Sequence, residues 1–405
     1  MHHDLTIVLL FSIATGVALA TRALKVPYTV ALVVVGVGVG ATRLVNPDLL
    51  RRDLLFALFL PGLVFEASYH LELVELRRSA VTIAALAVPG VVLGMGLTAG
   101  MLVALRSAVG PDALPLGAAL VFGAIIAATD PIAVVALFRD LGAPRALRVI
   151  VEGESLLNDA TAIVLFSVAV GFVSGATSSW IGAALEFARM LGVGALVGAA
   201  LGFAASAISR RIDDAKIEIT LTVIAAYGSF TLAERMGASG VIATMTAGVI
   251  CGSYGEPAMS ARTRHAVVVF WEYAAFALNS VVFLSMGFAV HLGALASSWR
   301  AIGVAYLVSL TARAALVFVV SAALVRHPSA IPWRWSAVVA WGGVRGALSM
   351  VLALSLPEAF PHRQTIVTIT YGVVLLSLVV QGLSISRVLR WLRIERGVAA
   401  RGENP

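Results

Sequence analysis

Four carboxylates of this chain stand in apolar sequence, where a charge is costly. Asp130 lies in Thr129-Asp130-Pro131, and the next apolar block carries Glu152-Gly153-Glu154-Ser155-Leu156-Leu157-Asn158-Asp159. A third polar island, Gly342-Gly343-Val344-Arg345-Gly346, interrupts an apolar block in the other half of the chain. Charges in such blocks are functional candidates by default. Carboxylate, hydroxyl and carbonyl oxygens suit a hard metal cation, and Asp159, Asp130, Ser155 and the carbonyl of Thr129 can supply them together. Taking a carboxylate out of water disfavours its charged form, so an acid in such a place takes a proton when a metal leaves. One acid that binds either a proton or a cation, never both well, couples two fluxes. The chemistry to which these residues point is exchange of a cation for a proton.

The elements around them must then present both polar stripes inward. Residues three and four apart share a helix face, so Glu152, Ser155 and Asp159 form one stripe. Glu154 and Asn158 form a second, about 100° round. Glu152 reads as the mouth of a funnel toward the site. Pro131 lacks an N–H and clashes with the carbonyl at residue 127, and it pushes Asp130 out of α geometry. The helix should break there, which mid-membrane backbone tolerates only against protein or a water-filled site. Gly342, Gly343 and Gly346 allow a similar interruption beside Arg345. Two broken helices, one in each half, point to an inverted-repeat secondary transporter. Arg345 needs a partner at that depth, and Glu154 is the expected one. Arg313, mid-span, needs one too, with Glu272 a candidate. Glu186 and Arg189 read as a local pair.

Composition sets the solvent. The chain has 405 residues, 60% hydrophobic and 13% charged, with a mean hydropathy of +0.97. A soluble domain carries about 25% charged residues, so a single water-facing core is excluded. A span needs about 20 apolar residues. On that template about thirteen fit: 5–21, 28–45, 53–70, 79–105, 115–139, 146–174, 180–209, 217–234, 238–252, 265–292, 299–326, 333–356 and 363–391. The expected fold is an all-α polytopic membrane protein. Its first block reads as a span rather than a cleaved signal. Strings such as Gly36-x-Gly38-x-Gly40, or Gly192, Gly194 and Gly198, sit inside apolar helices and read as close packing rather than a nucleotide loop. The net charge of +7 comes from basic residues spread between blocks, which reads as positive-inside topology and not as a nucleic-acid surface. Arg22, Lys25, Arg77, Arg78, Arg210 and Arg211 among others then place the N-terminus outside and the C-terminus inside. The loop with Arg43, Arg51 and Arg52 alone argues against it. Cys251 is the one cysteine, so no internal disulfide forms.

In this order within so many spans, the Thr129-Asp130-Pro131 break, Glu154-Ser155 with Asn158-Asp159, and Gly342-Gly343-Val344-Arg345-Gly346 resemble the monovalent cation/proton antiporter superfamily. The likeness is to its bacterial NhaP-type sodium/proton antiporters, relatives of the eukaryotic sodium/proton exchangers. Phe59-Leu60-Pro61-Gly62-Leu63-Val64-Phe65-Glu66 and the stretch from Phe270-Trp271-Glu272 to Asn279-Ser280 are also similar, and the resemblance runs over about residues 5–392. It implies that Asp159 is the central carrier, with Ser155, Asp130 and Thr129 completing the cation shell. Asn158 would position the broken helix, Glu154 and Arg345 would pair, and Glu66 would border the ion route. It further implies a homodimer with lipid around it and an elevator-like swing of a transport bundle (mainly 79–174 and 299–392) against a dimerisation part (mainly 5–70 and 180–292). Asn158, where other members carry a second Asp, implies electroneutral exchange of one Na+, or Li+, for one proton, in a cell membrane and in the service of pH homeostasis. Gly62 departs from the family's second proline, and regulation by a long tail like that of the animal relatives is not expected.

Other functions fit less well. Potassium/proton exchange would use the same machinery, because oxygen ligands do not by themselves choose between alkali ions. An intramembrane protease could use two carboxylates, but no His-Glu-x-x-His and no nucleophile elbow occurs. No pore loop suggests a channel, and no Walker A loop suggests nucleotide binding. No enzyme activity, cofactor, nucleotide or nucleic acid is expected.

Overall fold

Backbone in lipid must satisfy its own hydrogen bonds, and long apolar runs rich in Leu, Ala and Val do so as helices. The computed structural model describes residues 3–24, 28–41, 55–71, 73–131, 134, 135, 138, 142–175, 179–288 and 292–394. Among these every regular element is helical. In chain order the main helices are α1 (His3–Leu24), α2 (Tyr28–Ala41), α3 (Leu60–Tyr69), α4 (Leu73–Ala87), α5 (Pro89–Ala104), α6 (Leu116–Ala127), α7 (Arg145–Val173) and α8 (Trp180–Ser209). They continue with α9 (Ala215–Val223), α10 (Ser229–Arg235), α11 (Gly240–Ile250), α12 (Ala261–Phe288), α13 (Trp299–Ala323), α14 (Trp333–Trp341), α15 (Ala347–Ser355) and α16 (Arg363–Trp391). A π turn at Ile224–Gly228 joins α9 to α10.

Seven helical stretches among the described residues are long and apolar enough to cross a membrane, or eight when a pair bent by 90° before α6 is taken as one. Three shorter apolar helices add to these, a set compatible with the thirteen expected spans. Some boundaries differ. The fourth begins earlier, at Leu76, and takes Arg77 and Arg78 into its first turns with both exposed. The stretch expected at 333–356 is two helices, α14 and α15, parted at 342–346. The end of the second expected span, 42–45, and the start of the third, 53–54, lie outside the described residues.

The chain divides into two contact units. The first takes Met1–Ala20, Leu32–Val74 and Gly175–Ala289; the second takes Thr21–Ala31, Glu75–Ser174 and Val290–Pro405. In the first, α8 packs on α11 through Gly194, Gly198 and Gly202, four apart on one face. A Cβ at these positions would strike backbone at Ser239, Ala243 and Ala247 respectively. Gly192, off that face, meets nothing within 4 Å. Arg189 donates to the carbonyl of Gly237 at 2.9 Å instead of pairing with Glu186, so that expectation is corrected. Phe65, Tyr69 and Trp271 form the aromatic part of this unit's core.

In the second unit α6 lies so close to α5 that a Cβ at Gly123 would sit 2.7 Å from the carbonyl oxygen of Met95. The turn before α14 is tied to α4: Thr82 donates to Ser329 O at 2.6 Å and Ser329 Oγ to Arg78 O at 2.9 Å. This unit carries both helix interruptions.

Candidate cation-binding site

α6 ends at Ala127, and the backbone groups that Pro131 releases are taken up one by one. Buried polar backbone must be paired, and here the partners come from the two sequence stripes, from the second interruption and from the helix that follows it. The carbonyl of Ala127 accepts from Asn158 Nδ2 at 2.9 Å and from Arg345 Nη1 at 3.1 Å. The carbonyl of Ala128 lies 3.5 Å from both Arg345 Nη1 and Ser349 Oγ. The N–H of Thr129 donates to Asp159 Oδ1 at 3.0 Å, and its carbonyl accepts from Ser155 Oγ at 2.5 Å. The N–H of Asp130 donates to the carbonyl of Val344 at 2.7 Å. That last bond joins the two interruptions directly.

The second break is held from α16. Arg345 N–H donates to Ser377 Oγ at 3.0 Å, and Gln381 Nε2 donates to the last carbonyl region of α14, at Trp341 O, at 2.8 Å. Trp341 Nε1 in turn donates to Ser384 Oγ at 2.9 Å. Gly346 serves close approach rather than an unusual turn. Its φ is extended, at -123°, and a Cβ there would overlap the Asp130 side chain. A Cβ at Gly343 would overlap the guanidinium of Arg313.

Asp130, Asp159, Ser155 and Thr129 are thus gathered at one place, with Asp130 and Asp159 within electrostatic range of each other. Both acids are half-buried, whereas Ser155, Asn158 and Glu154 are buried. Two carboxylates with hydroxyl and carbonyl oxygens make an all-oxygen set, of the kind that suits a hard cation. Arg345 lies within electrostatic range of both Asp159 and Glu154.

One pairing is corrected. Glu154 does not bond to Arg345. Its carboxylate takes both Arg313 amines, Nη1 to Oε1 at 3.1 Å and Nη2 to Oε2 at 3.0 Å. This bidentate geometry is the strong form of an arginine–carboxylate contact. Arg313 is therefore answered by Glu154 and not by Glu272, and Arg345 spends its guanidinium on the carbonyls released at 127 and 128. The reason is physical: a proline break leaves acceptors, and a mid-membrane arginine can donate to carbonyls and not only to acids. A cavity of about 40 Å³ lies behind Glu154 and Asn158, lined also by Arg313, Arg345 and glycines of α5 and α6. That is room for a water, and Asn158 Oδ1 and Arg313 Nε are the polar atoms left for it.

Glu152 is half-buried on α7, one turn before Ser155. Glu66 lies on α3 in the first unit, with its carboxylate 3.6 Å from His70 Nδ1. Sequence reasoning missed Arg313 as the partner of Glu154, and missed Ser349, Ser377 and Gln381 altogether. The signal for the last two was present: Ser377, Gln381 and Ser384 are spaced by four and three in an apolar span, a polar stripe like that on α7.

A membrane chain whose two interrupted helices bond to each other beside half-buried carboxylates is built as a secondary transporter is. The chain belongs to the family described as sodium/hydrogen exchanger, transmembrane, whose model matches residues 7–391. It is 37% identical over 398 residues to the Na+/H+ antiporter ApNhaP of Aphanothece halophytica, covering 95% of this chain and 74% of that protein. It is 33% identical over 409 residues to the Na+/H+ antiporter NhaH of Halobacillus dabanensis, covering 96% and 98%. Its fold matches the sodium proton antiporter MjNhaP1 of Methanocaldococcus jannaschii with a TM-score of 0.80 at 20% identity, over 96% of this chain and 97% of that one.

Proposed function

We propose that this protein exchanges Na+ for H+ across a membrane, with cation and proton competing for Asp159. The observation that carries the reading is the Thr129–Asp159 junction, where the helix break brings the Thr129 carbonyl, the Ser155 hydroxyl and two acids to one point. The antiporter names of its relatives support it. The cation is the substrate, and no resident cofactor enters the cycle.

In the loaded state Asp159, Asp130, Ser155 Oγ and the Thr129 carbonyl would surround the ion. On its release Asp159 takes a proton, which removes an unpaired charge from a poorly solvated place. Asn158 and Arg345 hold the Ala127 and Ala128 carbonyls in both states, so the cradle need not collapse when the ion departs. Glu154 is paired with Arg313 and Asn158 is uncharged, which supports electroneutral exchange of one ion for one proton.

The second contact unit corresponds mainly to residues 79–174 and 299–392, and the first mainly to 5–70 and 180–292. That division supports a transport bundle swinging against a dimerisation part in a homodimer surrounded by lipid. Loop charge supports an outside N-terminus and an inside C-terminus in the cell membrane. Glu66 and Glu152 are assigned to the ion route. Li+ is expected as a second substrate, since it too is small and oxygen-loving.

Proteoliposomes with a trapped pH dye test the reading when Na+, Li+ and K+ are offered separately. Proton movement driven by Na+ and Li+ is expected. Movement driven by K+ alone would make the protein a potassium/proton antiporter instead.

A further inference from the structure

Away from the cation site, the first unit holds a second buried acid that exchange does not use. Glu218 lies in the first turn of α9 and is 0% exposed. Among the described residues neither of its carboxyl oxygens has a hydrogen-bond partner. α9 is fixed at its start by Asp214, whose Oδ1 accepts from the N–H groups of Lys216 and Ile217 at 2.9 and 3.2 Å. Four residues after Glu218, on the same face, Thr222 accepts from the indole of the buried Trp271 on α12 at 3.0 Å. Helix geometry therefore commits Glu218 to the interior.

Among the described residues it meets a hydroxyl and no paired cation. Ser209, buried at the end of α8, approaches the Glu218 carboxyl without completing a hydrogen bond. Ser206, one turn earlier, is buried with its Oγ unpartnered, and so is the hydroxyl of Tyr69 at the end of α3. Tyr69 lies within electrostatic range of Glu218, Cys251, Glu256 and Arg264. Arg264 is engaged by Glu256 at 3.7 Å. The charged group that acts on Glu218 is another acid, Asp213, which accepts from Ser260 and Thr263. Arg262, the other arginine at the start of α12, acts on Asp213. An ionised carboxylate without water or a cation is so costly that the group neutralises instead. A neutral acid can donate, and hydroxyls can accept.

We infer that Glu218 is a proton-binding site of the first unit, separate from the cation site, which holds its proton in the folded protein and donates it to the Ser209 or Tyr69 hydroxyl when that side chain turns toward it. The proton leaves when opening of the turn between α8 and α9 gives the carboxylate water. An alkali cation on the same oxygens is the competing occupant.

Infrared spectroscopy of the full chain in lipid decides this, using protein labelled with 13C-carboxyl glutamate and carrying Asp159→Asn so that the cation site is silent. At neutral pH a protonated glutamic acid C=O band is expected. Glu218→Gln should abolish it, and replacing sodium and potassium with choline should leave it unchanged. The inference is overturned if Glu218→Gln removes no such band, or if the band appears only when both alkali ions are withdrawn. Should Glu218→Gln fail to fold, Ser209→Ala and Tyr69→Phe carry the test. One of them must shift the band in the parent protein, and a band moved by neither overturns the assignment. No transport is read, so the result stands apart from the exchange reading.

Discussion

The N–H of Thr129 donates to Oδ1 of Asp159 at 3.0 Å, so the carrier acid is also a plug for a backbone donor left by the break at Pro131. An asparagine keeps that acceptor and loses the exchangeable charge. Asp159→Asn is therefore expected to express, purify and melt like the parent while exchange falls to background. Saturable residual exchange in proteoliposomes would count heavily against Asp159 as the carrier.

Glu154 and Arg313 are paired with little exposure, 3% and 12% of their side chains. Removing one partner of a buried pair leaves an uncompensated charge and costs roughly 3–5 kcal/mol. Glu154→Leu and Arg313→Met should each lower the melting temperature sharply, and the double variant should recover much of the loss. Arg345→Met should show no comparable rescue with Glu154→Leu. A double-mutant cycle with strong 154–345 coupling and none for 154–313 would reverse the assignment.

Ser155 contributes one neutral oxygen and also bonds the Thr129 carbonyl. Ser155→Ala is expected to weaken apparent sodium affinity about tenfold, or ~1.4 kcal/mol, with exchange still measurable at saturating sodium. Unchanged affinity would place Ser155 outside the ion's shell.

A Cβ at Gly346 would enter the space of the Asp130 side chain. Overpacking of this kind costs about 1–3 kcal/mol, and here it also displaces an ion ligand. Gly346→Ala should therefore reduce exchange far more than Gly96→Ala, where a Cβ meets nothing within 4 Å. Equal activity of the two in vesicles would show that the approach at Gly346 is dispensable.

At the turn between α8 and α9, hydroxyl donors from Ser260 and Thr263 hold the Asp213 carboxyl below its usual range. A folded-state value below the unfolded one means stabilisation present above about pH 4, the ordinary Asp value, and lost as pH falls through the lower folded value. The melting difference between the parent and Asp213→Asn should shrink as pH is lowered through that window. A difference that is flat or grows toward acid would contradict the role.

Much of this was legible because lipid enforces strict rules. The break at Asp130-Pro131, the glycine interruption at 342–346 and the two stripes on α7 follow from backbone sterics and the cost of charge in an apolar medium. The pairing of charges was not legible. Glu154 had two arginines to choose from, and the choice turned on where the broken helix leaves its carbonyls, a three-dimensional fact. Gln381 and Ser377 were readable as a stripe but not as a brace, since nothing in their own span says which break they face. Close packing was foreseen at Gly194 and Gly198 without its partner α11, and also at Gly192, which meets nothing within 4 Å, while Gly202, which continues the packed face, was not foreseen.

Competition at Asp159 is tested most directly by calorimetric sodium binding across pH, in buffers of different ionisation heat. If one proton is displaced per ion, the apparent affinity should weaken about tenfold for each unit of falling pH on the acid side, with proton release seen in the buffer dependence and no binding in Asp159→Asn. Sodium bound with the same strength at every pH, releasing no protons, would contradict the account.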